Sequence, residues 1–353
     1  MSKITRSVNV GGVVIGGGAP IPVQSMTNTD THDFDACYKQ ITALRDAGCD
    51  IVRLAVPDIE AAATMAKLKK SDIGVPIVAD IHFDYRIALA CAEAGVDKIR
   101  INPGNIGSRD RVLEVVKACR ERRIPIRIGV NGGSLKKEIL EKYGAPTAEA
   151  LAESAMEHVR ILEDCNFEDI VISIKSSDVR TMIGANRLLH SMRDYPLHIG
   201  VTEAGSAHMG TMKSAIGIGS LLCDGIGDTI RVSLTADPLR EVIEAKLLLG
   251  ALGLNPSAMV DIVSCPTCGR TKIDLISLCA RFEEEILPSL HPSRPIKVAL
   301  MGCAVNGPGE AREADIGIAG GIGEALLFKK GEIIKKIPEE RILDVLRDEI
   351  NAL

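Results

Sequence analysis

Tryptophan is absent, and Phe, Trp and Tyr together make up 3% of the 353 residues. Aromatic stacking platforms for single-stranded nucleic acid therefore have almost nothing to be built from. An excess of positive charge is also missing: the formal net charge is -5, which argues against nonspecific nucleic-acid binding. No run of eighteen apolar residues occurs, so no membrane span is expected. The opening Met1-Ser2-Lys3-Ile4-Thr5-Arg6 carries no signal-peptide pattern and leads straight into a Val/Gly hairpin pattern. A soluble, cytoplasmic protein with neither nucleic acid nor membrane as partner is expected.

What is present is core-forming. Hydrophobic residues make up 46% and charged residues 25%, enough for one large domain and a small one. Of the ten cysteines, Cys37, Cys49, Cys91, Cys119, Cys165, Cys223 and Cys279 stand singly, mostly within apolar helical patterns. They are expected to be reduced core residues, which suits a reducing compartment.

A short β-branched run followed by a helical pattern recurs through the first two-thirds of the chain. The strands read are Pro22–Met26, Ile51–Ala55, Pro76–Asp80, Lys98–Asn102, Ile126–Val130, Ile170–Ile174, Leu197–Val201 and Thr229–Ser233. Helical spacing separates them, for example from Asp33 to Ala47 before Gly48, and from Leu239 to Leu252 after the last strand. Eight such units describe an α/β fold, a TIM (β/α)8 barrel, with an open doubly wound sheet as the alternative. Val8 to Ile15 reads as a hairpin turning at Gly11-Gly12 that could plug the N-terminal end of the barrel. The barrel is expected over residues 1–254. Over 255–353 the rhythm changes to a small α+β domain, with a helix from Leu275 to Glu285, a hairpin from Ala325 to Ile337 and a closing helix from Pro338 to Asp348.

Barrel enzymes carry their chemistry at the C-terminal ends of the strands, and this chain places unusual residues there. Arg53 lies on strand two, and Asp80 and His82 close strand three. Arg100 and Asn102 share strand four, and Arg127 and Asn131 belong to strand five. Lys175 ends strand six, Glu203 follows strand seven, and Arg231 and Ser233 share strand eight. Even spacing points each pair to one face. Five cations (Arg53, Arg100, Arg127, Lys175, Arg231) face two carboxylates (Asp80, Glu203). A buried, unpaired Arg is costly, and a bound anion, phosphate above all, relieves that cost.

The second domain concentrates its chemistry in two loops. Ser264-Cys265-Pro266-Thr267-Cys268-Gly269 holds a Cys-x-x-Cys, and Met301-Gly302-Cys303-Ala304-Val305-Asn306-Gly307-Pro308-Gly309-Glu310 holds a third thiol in a tight turn. Three thiolates suit an iron–sulfur cluster with one iron lacking a thiolate. Structural zinc completed by Cys279 or His291, or a redox thiol pair, remain open on residue chemistry alone. Glu310 reads either as a surface carboxylate or as an exchangeable oxygen ligand.

Those two blocks, together with Val23-Gln24-Ser25-Met26-Thr27-Asn28-Thr29 and Arg100-Ile101-Asn102-Pro103-Gly104-Asn105, resemble the bacterial 4-hydroxy-3-methylbut-2-enyl diphosphate synthase family over nearly the whole chain. The resemblance implies reductive ring opening and dehydration of 2-C-methyl-D-erythritol 2,4-cyclodiphosphate in the non-mevalonate isoprenoid pathway. Electrons would come singly from flavodoxin or ferredoxin through a [4Fe–4S] cluster. Cys265, Cys268 and Cys303 would hold three irons, and Glu310 the fourth in the resting enzyme. Arg53, Arg100, Asn102, Arg127, Asn131, Lys175, Arg231 and Ser233 would contact the diphosphate or substrate. Asp80, His82 and Glu203 would sit nearer the reacting carbons. The family further implies a homodimer in which one subunit's cluster domain caps the other's barrel. Two rival readings remain: a pterin-synthase-like phosphate barrel with a structural zinc domain, and a non-enzymatic iron–sulfur carrier.

Overall fold

The computed structural model describes residues 3–102, 105–254, 260–290, 292, 294–304 and 312–353. The chain forms two compact units that divide between Leu248 and Leu249.

The first unit opens with the hairpin β1 (Val8–Val10) and β2 (Val13–Ile15). Gly11 and Gly12 both take positive φ, which a two-residue turn of this twist requires. Val8, Val10 and Ile15 pack on Ile51, Val78 and Val171, so the hairpin closes the barrel floor as its sequence suggested.

Six parallel strands then pair in sequence order: β3 (Gln24–Met26), β4 (Ile51–Ala55), β5 (Ile77–Asp80), β6 (Lys98–Ile101), β7 (Ile126–Asn131) and β8 (Ile170–Lys175). Two short strands, β9 (His198–Ile199) and β10 (Thr229–Ile230), pair in parallel with each other. Single bridges from Ile172 to Leu197 and from Val23 to Ile230 join that pair to β8 and to β3. The ring is thus closed, with strand order following sequence order, and the doubly wound alternative is excluded. Strands β5, β6 and β8 are buried on both faces, as parallel strands under a helical layer must be.

The helices are α1 (Phe34–Asp46), α2 (Ile59–Lys70), α3 (Tyr85–Glu93), α4 (Arg109–Arg122), α5 (Lys137–Tyr143), α6 (Ala148–Glu163), α7 (Val179–Met192), α8 (Ala207–Cys223) and α9 (Pro238–Ala251). Side chains of Asp33, Asp58, Asp84, Thr147 and Asp178 accept hydrogen bonds from the first-turn amides of α1, α2, α3, α6 and α7. None of the described helices is long and apolar enough to cross a membrane.

The second unit is one sheet in the order β11 (Val260–Ser264), β12 (Ile296–Met301), β13 (Ile316–Gly320), β14 (Glu324–Lys329), β15 (Glu332–Pro338). The first three strands are parallel and the last two antiparallel. Helices α10 (Leu275–Arg281) and α11 (Ile342–Asn351) bury Leu275, Ile342, Leu346 and Ile350 in its core. Two expected boundaries differ. The helix begun at Leu275 passes into a π turn over Phe282–Ile286, which turns Phe282 and Ile286 inward. Pro338 ends β15 rather than opening the last helix, which starts at Ile342 after a 3₁₀ turn.

Cys37, Cys49, Cys91, Cys119 and Cys165 are buried, and all ten cysteines are free thiols. Two depart from the core expectation: Cys223, the last residue of α8, is exposed, and Cys279 is half-buried beside the sheet.

Two three-residue strands supply the floor, and Ile15 is fully buried in it. Ile15→Ala is therefore expected to cost about 2–5 kcal/mol, read as a lowered denaturant midpoint with an unchanged slope.

Candidate functional site

The barrel interior is polar where most barrels are aliphatic. Arg127 is 1% exposed and Lys98 is wholly buried, while Arg100 and Lys175 retain under a tenth of their surface. Each of the five cations expected at the strand ends feels others of the set, so the ring does bring them together.

Asp80 is the hub. Its carboxylate lies 3.0 Å from Nη1 of Arg100 and 3.5 Å from Nε of Arg53. Burial pulls its pKa up, but Arg53, Arg100 and Arg127 outweigh burial and hold it at about 2. Arg53 also points Nη2 at Sδ of Met26, 2.8 Å away. Burial, opposed by Asp80, pushes Arg53 down to about 10. Arg100 Nη1 lies 3.2 Å from Nε2 of the exposed His82. Gly129 makes room for this arrangement: a Cβ there would overlap the guanidinium of Arg100.

Arg231 is clamped by Glu241 of α9, with both Nε and Nη2 within 3.2 Å of its carboxylate. Glu241 also accepts from Ser25 Oγ at 3.1 Å and from the Leu234 amide at 3.0 Å. Burial, then the Arg231 charge, drives Lys175 well below its ordinary range. Gly200 lies against it, where a Cβ would come 3.2 Å from Nζ. Arg127 is likewise pushed well down, first by burial and then by Arg53 and Arg100, and its Nε and Nη1 have no hydrogen-bond partner. Asn102 is buried at the end of β6, Asn131 ends β7, and Ser233 is half-buried after β10. Glu203 is exposed in the loop after β9 and holds φ +51°, a strained conformation for a side chain of this kind.

Four contributors were not singled out from sequence. Glu241 sits on a helix, and its partner is set only by tertiary folding. Lys98, His198 and Gln24 share their strands' even spacing with Arg100, Gly200 and Met26, and that parity was the available signal. With Lys98, the described interior holds six basic side chains (Arg53, Lys98, Arg100, Arg127, Lys175, Arg231) against two carboxylates, Asp80 and Glu241. Such a surplus in a dry site selects for an anion with several oxygens.

In the second unit, the parallel pairing of β11 with β12 puts Cys265 and Cys303 at the same end of the sheet, just past the C-terminal ends of the two strands. The Gly302 amide donates to Sγ of Cys265 at 3.3 Å, and the Lys272 amide donates to the Gly302 carbonyl at 2.9 Å. Gly302 has to be small, since a Cβ would press on Thr271. Cys268 is exposed, and the Arg270 amide followed by the Arg270 charge lowers its thiol pKa. Cys279 is raised by burial, in spite of a hydrogen bond with Ser264. Among the described residues no three His, Cys, Asp or Glu side chains gather closely enough to hold a single metal ion. His291 and Glu310 lie outside the described residues. The donor set fits a cluster: three soft sulfurs on loops from one end of the sheet, one sulfur already receiving a backbone N–H.

The sequence model of the GcpE TIM-barrel domain matches residues 5–246, and that of the GcpE protein C-terminal domain matches residues 261–352. The chain belongs to the GcpE family. It is 58% identical over 344 residues to the Clostridium perfringens 4-hydroxy-3-methylbut-2-en-1-yl diphosphate synthase (flavodoxin), covering 98% of this chain and 97% of that protein. The protein of the same name from Caldanaerobacter subterraneus is 57% identical over 353 residues, covering 100% of this chain and 98% of the other. The resemblance read from the cysteine loops and the strand ends is thereby borne out. Among solved structures, a sialic acid synthetase from Leptospira borgpetersenii in complex with citrate aligns with TM-score 0.51 at 11% identity, over 81% of this chain and 99% of that one. That likeness concerns the fold alone.

Because Asp80 is depressed to about 2, its contribution is complete above its unfolded value near 4 and is lost as pH falls from there. Asp80→Asn is expected to destabilise by about 3–5 kcal/mol by leaving Arg53 and Arg100 unpaired. It should also flatten the acid limb of the melting temperature between about pH 4 and 2.

Proposed function

We propose that this member of the GcpE family opens 2-C-methyl-D-erythritol 2,4-cyclodiphosphate reductively and dehydrates it to 4-hydroxy-3-methylbut-2-enyl diphosphate. The cationic barrel interior is the single observation that carries the reading, in a chain whose relatives bear that enzyme's name. A pterin-synthase-like barrel and a passive iron–sulfur carrier are both set aside by a family match that spans both units.

The reaction breaks two C–O bonds. The tertiary carbon's bond to the phosphoryl oxygen breaks with the electron pair on oxygen, which frees one end of the diphosphate. The neighbouring hydroxyl departs and takes one proton to become water. Two supplied electrons become the new carbon–carbon double bond. A cluster of the [4Fe–4S] type, held by Cys265, Cys268 and Cys303 with Glu310 on the fourth iron at rest, would supply single electrons and a Lewis-acidic iron when bound.

The chain's own residues hold and orient the substrate. Arg53, Arg100, Arg127, Lys175 and Arg231 take the diphosphate oxygens and stabilise the charge that grows on the freed phosphoryl oxygen. Asn102, Asn131 and Ser233, at the strand ends, accept or donate to the remaining oxygens. Asp80 stays ionised at any working pH, so its task is to aim Arg53 and Arg100 rather than to give a proton. His82, exposed and in contact with Arg100, and Glu203, exposed in the loop after β9, are assigned the delivery of the proton to the leaving hydroxyl. Flavodoxin, in a cytoplasmic setting where thiols remain reduced, is the proposed electron donor, with ferredoxin as a substitute. The working unit is proposed to be a homodimer in which one subunit's cysteine unit serves its partner's barrel.

Anaerobic incubation of the cyclodiphosphate with reduced flavodoxin, or an artificial one-electron donor, should yield the linear diphosphate by mass. Colourless protein carrying stoichiometric zinc and inert toward the substrate would overturn the reading. Cys303→Ser is expected to purify without an intact four-iron spectrum, whereas Glu310→Ala should keep the cluster and lose most turnover. Loss of the cluster in Glu310→Ala would instead make that carboxylate structural. Mixing Arg127→Ala subunits with Cys303→Ser subunits should restore part of the activity that each lacks alone. Two inactive parents giving an inactive mixture, despite subunit exchange, would refute the cross-subunit arrangement.

A further inference from the structure

Beneath the cations assigned to the diphosphate lies another polar layer with no role in that reading. Lys98 on β6 is wholly buried, and its Nζ has no hydrogen-bond partner. His198 on β9 is equally buried with both ring nitrogens unpaired, and Gln24 on β3 is buried with both amide atoms unpaired. The charges that act on Lys98 are cationic, Arg127 on β7 and then Arg53 on β4. His198 feels Arg127 first, then Lys175 of β8 and Lys98. Asp80 on β5 is committed to Arg53 and Arg100, and no ion pair to Lys98 occurs among the described residues.

Resting on the diphosphate reading above, we propose that Lys98 is a positioning residue that takes a proton from solvent when the cyclic diphosphate docks on Arg127 and Arg53. An ammonium there in the empty barrel would stand dehydrated, without an acceptor, in the field of two guanidiniums, so the amine is the stable form. Burial, then Arg127 and Arg53, accordingly pushes Lys98 well below its ordinary range. A docked dianion offsets those two guanidiniums and adds negative potential from above. The ammonium becomes the stable form and completes charge balance beneath the bound phosphates. Binding is thereby proton-linked: affinity falls as pH rises, toward tenfold per pH unit for one proton.

The test is calorimetry on anaerobically prepared holoenzyme without reductant, with the cyclodiphosphate as titrant, in buffers of contrasting ionisation heat from pH 7 to 9. Both phosphoryl groups of this ligand are already esterified, so each keeps only a strongly acidic hydroxyl and the ligand itself does not titrate in that range. Wild type is expected to take up a proton on binding. Lys98→Met should lose about one proton of that uptake and the share of the pH slope that goes with it, while still binding the ligand at pH 9. Lys175, also depressed, keeps its own share in that variant. Lys98→Gln provides the same comparison if the methionine variant folds poorly. Binding with no proton uptake, or uptake unchanged in both variants, overturns this proposal and leaves the diphosphate site intact. Failure of wild type to bind the cyclodiphosphate overturns the diphosphate reading and this inference with it.

Discussion

The barrel is organised around a charge imbalance in its own interior. Two carboxylates cannot balance six basic side chains in a space from which water is largely excluded, and each carboxylate is shared. Asp80 serves two guanidiniums, and Glu241 serves Arg231, the Ser25 hydroxyl and the Leu234 amide. The remaining positive potential is what the fold offers a ligand. A preformed array of this kind stabilises charge that develops during reaction without having to reorganise. Its cost is borne by the unliganded state, in amines kept neutral and donors left unpaired.

The rest of the first unit serves that array. Glycines at 129 and 200 replace the aliphatic side chains that usually fill a barrel layer, and the cations lie in the room so made. The hairpin floor seals the far end with Val8, Val10 and Ile15, which keeps the polar layer from being flooded from below. The second unit follows a different logic. Parallel strands β11 and β12 deliver two cysteine loops to one end of the sheet, where the Gly302 and Arg270 amides and the Arg270 side chain act on the sulfurs.

The fold was legible because parallel barrel strands are buried on both faces and read as β-branched runs between capped helices. All eight strands lie where those runs lie, with β9 and β10 reduced to two residues each. The strand-end cations were legible from parity alone, since residues two apart share a face. Lys98 and His198 obey the same parity but lie one layer below the rim, outside the strand ends where a barrel's chemistry is sought. Glu241 was illegible for another reason: a helical Glu is ordinarily solvated, and only the closed ring brings it to Arg231. The π turn at Phe282 arises from the pull of two apolar side chains toward the sheet core, which local helical spacing does not encode. The family blocks at Cys265 and Cys303 were legible because spacing and residue identity survive together there, whereas Glu310 belongs to residues outside those described.

The ring is not uniformly stitched. Between β8 and β3 it is held by two two-residue strands and isolated bridges, while β7 and β8 share six registered pairs. Across that thin seam the Glu241 clamp on Arg231 and Ser25 ties the last strand, the last barrel helix and the first strand into one knot. The barrel therefore has a preferred line of opening, and its latch is an electrostatic one. Breathing of the wall, amide exchange and entry of solvent will all begin on the side where Arg231 stands, so a ligand that grips Arg231 also fastens the cylinder shut.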